Sequence, residues 1–128
     1  MSDFVSFELA KRIKEKGFPQ HWSDDAYIVE NEYDDNFEVG SRYDRCFIPE
    51  HLPTISAPTI SQVLKWLREE KRLEANGCYD NDEQGWMGYV CEMDVPDLYA
   101  FHALKERHKL YEQAAVAAIE YILNNNLI

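Results

Sequence analysis

The sequence predicts an α+β domain, an antiparallel sheet covered by about three helices in the order α-β-β-α-β-β-α. Three observations lead there. Three stretches place apolar residues at helical spacing. The segments between them are rich in aromatic and β-branched residues with turn-forming neighbours. The chain has 128 residues, 45% of them hydrophobic, which suits one compact domain spanning 1–128.

In the first helical stretch Val5, Leu9 and Ile13 share one stripe. Ser6 suits the N-cap because its hydroxyl can accept from an amide one turn on. Gly17 suits the left-handed residue that ends the helix, with Phe18 closing over Ile13. The Tyr-Ile-Val centre of Asp24–Asn31 favours a strand. Phe37–Val39 and Tyr43–Ile48 are further strand candidates, with Gly40 and Ser41 as the turn between them. Pro49, Pro53 and Pro58 break regular pairing, so 49–58 reads as an ordered connection anchored by Leu52 and Ile55.

Thr59 and Gln62 form a capping box, and Ile60, Val63, Leu64 and Leu67 follow at helical spacing. Lys65, Arg68 and Glu69 take the outer face, Trp66 the flank, and the helix should reach Lys71. Leu73–Tyr79 and Trp86–Met93 then bracket an acidic, Gly-ended insert, Asp80–Gly85, which reads as a hairpin turn. Residues 96–109 fit two templates: Phe101, Leu104 and His108 match a helix, whereas Tyr99, Phe101 and Ala103 match a strand. The last helix is marked by Tyr111, Ala114, Ala115, Ala118, Ile119 and Ile122, whose alanines permit close approach to a sheet, and Asn124–Asn126 end it.

Three blocks carry a resemblance: Ser6–Phe18 (SFELAKRIKEKGF), Ser56–Lys71 (SAPTISQVLKWLREEK) and Tyr111–Leu123 (YEQAAVAAIEYIL). Together they resemble a group of small proteins of Bacteroides-type gut bacteria, often found in prophage-like or mobile regions and without an assigned activity. The resemblance implies a small cytoplasmic accessory protein and supplies no mechanism.

Thirteen Lys and Arg against 24 Asp and Glu give a net charge of −11, which repels phosphate backbones, so direct nucleic-acid and anionic-membrane binding are disfavoured. The longest apolar run, Ala114–Ile119, is far too short to span a bilayer, and the first residues lack a signal-peptide core. Cys46, Cys78 and Cys91 contain no CxxC pair and read as reduced thiols of a cytoplasmic protein. A Cys78–Cys91 bridge would require suitable placement on adjoining strands.

Asp80, Asp82, Gln84 and Gly85 imitate the start of an EF-hand loop, but Cys91 stands where a bidentate Glu is needed, so a solvated turn is the better reading. His21, His51, His102 and His108 show no HxH or HExxH spacing. Cys46–His51 and Cys91–His102 dyads can be drawn, yet no GxSxG, SxxK, GxGxxG or GxxxxGK motif supports catalysis or phosphate binding. No catalytic residue, cofactor or metal is therefore expected.

Charge placement is the organised polar feature. Seven acids fall between Asp24 and Glu38 and seven between Leu73 and Leu104, with no Lys or Arg inside either run. The expected partner-binding residues are Asp24, Asp25, Glu32, Asp34, Asp35, Asp80, Asp82, Glu83 and Trp86. Such charge serves solubility and blunts sheet edges; as a docking face it suits a non-enzymatic accessory protein that contacts another protein of basic character, steered electrostatically. Two rivals follow: an acidic decoy that mimics nucleic acid, and a small hydrolase or metal enzyme without a familiar motif. The Ala-rich helix or an edge strand also suits a homodimer.

Overall fold

The computed structural model describes residues 4–22, 25–31, 36–41, 54–93 and 101–128; at 25, 28–31, 36–41 and 54 the description is of the backbone. The α+β class, three helices and antiparallel pairing are as expected from sequence. The strands form two three-stranded sheets, one in each of two compact units, Met1–Gln62 and Val63–Ile128.

The first unit opens with α1 (Phe7–Glu15), where the Ser6 hydroxyl accepts the Leu9 amide at 3.2 Å. Val5, Leu9 and Ile13 are buried, and Phe7 and Ala10 widen the apolar stripe. Gly17 adopts φ +95°, and the Phe18 amide donates to the Ile13 carbonyl at 3.0 Å, a Schellman closure that buries Phe18. β1 (Asp25–Asn31) is the centre of a sheet with β2 (Asn36–Ser41) and β3 (Thr54–Ser56) on its two sides.

Two expectations are corrected here. Gly40 and Ser41 are not a turn: they end β2, opposite Ala26 and Asp25. Pairing with the long β1 overrides their turn preference. The expected connection 49–58 contains β3, because Pro53 and Pro58 flank Thr54–Ser56 and an edge strand needs a ladder on one side only. The Ser56 amide is satisfied by the Gln20 side-chain oxygen at 2.8 Å, while Gln20 Nε2 donates to the Phe18 carbonyl at 3.0 Å. The chain start is tied in by the Val5 amide, which donates to Pro58, and by the Tyr27 hydroxyl, which donates to the Val5 carbonyl. Tyr43–Ile48, the remaining strand candidate, lies outside the described residues.

The capping box opens α2 (Ile60–Glu70): the Gln62 amide donates to Thr59 Oγ1 at 3.2 Å and the Thr59 amide to Gln62 Oε1 at 2.9 Å. The helix stops one residue short of Lys71. Trp66, expected on its flank, is only 2% exposed, and the Lys71 ammonium stands 5.5 Å from its ring centroid. An indole contributes too much apolar area to stay at a stripe's margin.

In the second unit β4 (Leu73–Asp80), β5 (Gly85–Glu92) and β6 (Phe101–His108) pair antiparallel in that order, and α3 (Tyr111–Asn124) lies across them. The ambiguous stretch therefore supplies a strand, not a helix, over Phe101–His108. The register sets Gly77 opposite Gly88, and α3 sits on that pair. A Cβ on Gly88 would meet the Ala114 carbonyl oxygen at 2.6 Å; one on Gly77 would meet Ala114 Cβ at 3.1 Å. Ala114, Ala115, Ala118, Ile119 and Ile122 are buried in this seat. Small residues on both sides let helix and sheet backbones approach closely. At one end Trp86 stands edge-on to Tyr79 and Tyr111, with centroids 5.5 and 5.4 Å away. The Tyr111 hydroxyl donates to Asn76.

No described helix is long and apolar enough to cross a membrane.

Gly88→Ala is expected to lower unfolding free energy by about 2–3 kcal/mol in denaturant titrations, because its methyl group meets backbone that cannot step aside. Gly77→Ala should cost less, since its new contacts are side chains. Burial raises the pKa values of Tyr27, Tyr89 and Tyr111, with Glu74 adding to Tyr89 and Glu112 to Tyr111. The unfolded phenols ionise near 10.0, so this contribution is complete below that pH and lost as pH rises through the higher folded values. Urea midpoints should hold to about pH 9 and fall above about pH 10.

Candidate functional site

Every described candidate contact residue with side-chain geometry lies in the second unit. Asp80 ends β4 at the hairpin tip. One of its oxygens accepts the Asp82 and Glu83 amides at 3.0 and 3.4 Å. The other meets Arg107 of β6 from Nε and Nη2, both at 3.0 Å. Glu83 stands 3.4 Å from the same guanidinium. Asp80 therefore works as a turn clamp, and the Arg107 hydrogen bond, ahead of the turn amides, holds its carboxyl below the usual carboxylate range. This corrects the reading of that acidic run as one without a basic partner. Arg107 lies just beyond it in sequence, and only the strand pairing of β5 with β6 brings it back. Asp82 is exposed at the tip. Trp86 is half-buried between Tyr79 and Tyr111, so its ring is largely committed to packing. Asp25 begins β1, and Asp24, Glu32, Asp34 and Asp35 lie outside the described residues, as does Cys46.

The EF-hand imitation is spent on this clamp. Among the described residues no group of three or more His, Cys, Asp or Glu side chains is placed to hold a metal ion. Cys78 and Cys91 are free, and the register explains why they do not bridge: Cys78 faces Met87 while Cys91 faces Glu74. Four residues along the ladder is about 13 Å, well beyond disulfide reach.

Two features were not visible in sequence. The first is the sheet face opposite α3. Alternation places Cys78, Met87, Tyr89, Cys91, Phe101 and Ala103 there. Tyr89 and Phe101 stack at 5.6 Å with an interplanar angle of 26°. Phe101 is 48% exposed, and Met87, Tyr89 and both cysteines are half-buried. Glu74 borders this face at one end, and the Asp80–Arg107–Glu83 cluster borders it at the other.

The second is a cleft of about 320 Å³ between β6 and α3, lined by Leu104, Lys105, Glu106 and His108 of the strand and Ala117, Glu120, Tyr121 and Asn124 of the helix. It forms where β6 carries extra residues: Arg107 pairs with Met87 but Ala103 with Tyr89. Beside it His102 Nδ1 lies 3.2 Å from the Tyr121 hydroxyl, and buried Nε2 lies 3.5 Å from a Glu92 oxygen without forming a hydrogen bond. Only the strand assignment of 101–108 brings these three side chains together.

Arg107→Met is expected to free the hairpin tip. Amide exchange at Asp82 and Glu83 should accelerate in hydrogen–deuterium exchange. The clamp's contribution, present above pH 3.8 and lost as pH falls through the lower folded value, should disappear from the acid unfolding profile. No protein-family model matches the chain, and no curated protein or solved structure is significantly similar to it.

Proposed function

We propose that this chain is a non-enzymatic accessory protein that acts through protein contacts, using the β4–β5–β6 face opposite α3. The observation that carries the reading is the stacked Tyr89–Phe101 pair, with Phe101 48% exposed at the start of β6 beside Cys91 and Ala103. Aromatic side chains are the favoured anchors of protein interfaces. The rim fits a basic partner: Glu74 stands at one end, Glu83 and exposed Asp82 at the other, on a chain of net charge −11. The resemblance of the three helical blocks supports a cytoplasmic role in a prophage or mobile element.

The acidic tip adds steering, and the apolar centre adds affinity. A nucleic-acid decoy would instead rest on a row of unpaired carboxylates. Asp80 and Glu83, which are ion-paired to Arg107, do not favour it.

Capture from a native lysate at low and at about 0.5 M salt tests this proposal, because an apolar contact survives screening that dissolves a purely ionic one. The partner captured by the wild-type chain should persist at the higher salt and be lost with Phe101→Ser. Capture that vanishes in salt, or that is indifferent to Phe101, would count against it.

A further inference from the structure

The cleft between β6 and α3 is separate from the contact face, since it opens on the side of the sheet where α3 lies. Its exposed charged groups are mostly acidic. His102 Nδ1 meets the Tyr121 hydroxyl at 3.2 Å, and the Glu92 carboxylate lies 3.5 Å from Nε2. The Tyr121 oxygen held by that contact has lone-pair capacity for a further bond. Glu106 and Glu120 are exposed, line the same cleft and make no ion pair among the described residues. Beside these carboxylates stand the Lys105 ammonium, the His108 ring with its buried Nε2, and the Asn124 amide. Leu104, Ala117 and the Tyr121 ring supply apolar wall, and an aromatic face attracts cations.

We propose that this cleft is a binding site for a small protonated amine with a short apolar or aromatic stem. Its ammonium would be held by Glu106 and Glu120 and by the Tyr121 hydroxyl that His102 meets. The cleft's volume of about 320 Å³ suits a compact ligand. A carboxylate ligand, held by Lys105 with His108 or the Asn124 amide, is the competing chemistry.

The test is an NMR titration of the full chain with benzylamine, and in parallel with benzoate, each to about 10 mM, a range suited to fragment-sized ligands. Benzylamine should give saturable shifts at the amides of Lys105, Glu106, Glu120 and Tyr121, and benzoate should give none. Glu120→Gln and Tyr121→Phe should each weaken benzylamine about 5–10-fold, the loss of one charge-assisted or oriented hydrogen bond. Exposed Glu120 can be changed without touching the core, so that variant carries the test should Tyr121→Phe alter folding. Absence of saturation, an equal response to benzoate, or unchanged affinity in folded Glu120→Gln would each overturn the proposal.

Discussion

The second unit depends on one steric constraint: α3 can lie with its backbone on Gly88 and its Ala114 and Tyr111 side chains on Gly77 because neither glycine has a side chain. The two glycines face each other across β4 and β5, and Ala114 and Ala118 fill the place that side chains would occupy. Glycine weakens a strand by itself, through backbone entropy and the loss of a packing side chain. Here that loss is offset by burying the alanine stripe of α3. The seat also decides which sheet face is used for folding. With α3 on the Gly77–Gly88 face, alternation assigns Tyr89, Cys91 and Phe101 to the other.

β6 borders both of the proposed binding surfaces. It is an edge strand, yet it carries the side chains that organise its surroundings. Arg107 reaches across to the hairpin tip and neutralises part of its charge. Phe101 stacks on Tyr89 of the neighbouring strand. His102 faces α3, where it fixes the Tyr121 hydroxyl. The extra residues between its two registers with β5 push Leu104, Lys105 and Glu106 out to form one wall of the cleft. Bulges of this kind re-aim side chains at a local cost in pairing.

Sequence patterns revealed the local structure well and the long-range structure poorly, for physical reasons. Ser6, Gly17 and the Thr59–Gln62 box act within one turn of chain, so their roles were legible and are found as expected. The alanines of α3 announced a close approach but not its target, because Gly77 and Gly88 become a pair only through strand register. β3 was obscured by its flanking prolines, and Gly40–Ser41 looked like a turn because local preference was weighed without the partner strand. The residues of β6 alternate and also fit helical spacing, and only pairing with β5 decides between them. The candidate sites suffered most. Charge alone singles out Asp80, Asp82 and Glu83, but Arg107 claims two of them from 24 or more positions away in sequence. The Tyr89–Phe101 pair and the Glu92–His102–Tyr121 cluster each join different elements and had no signature at all.

Sheet burial has two uses here, the α3 seat on one face and the proposed partner contact on the other. Cys78 and Cys91 are free, half-buried reporters on the second face. The most direct measurement is their alkylation rate in the isolated chain and in the captured complex, read residue by residue by mass spectrometry. Both thiols should slow markedly in the complex, whatever protection from carboxyl labelling the Asp82 rim shows beside them. Unchanged thiol rates together with protection confined to the tip would contradict the proposed contact face.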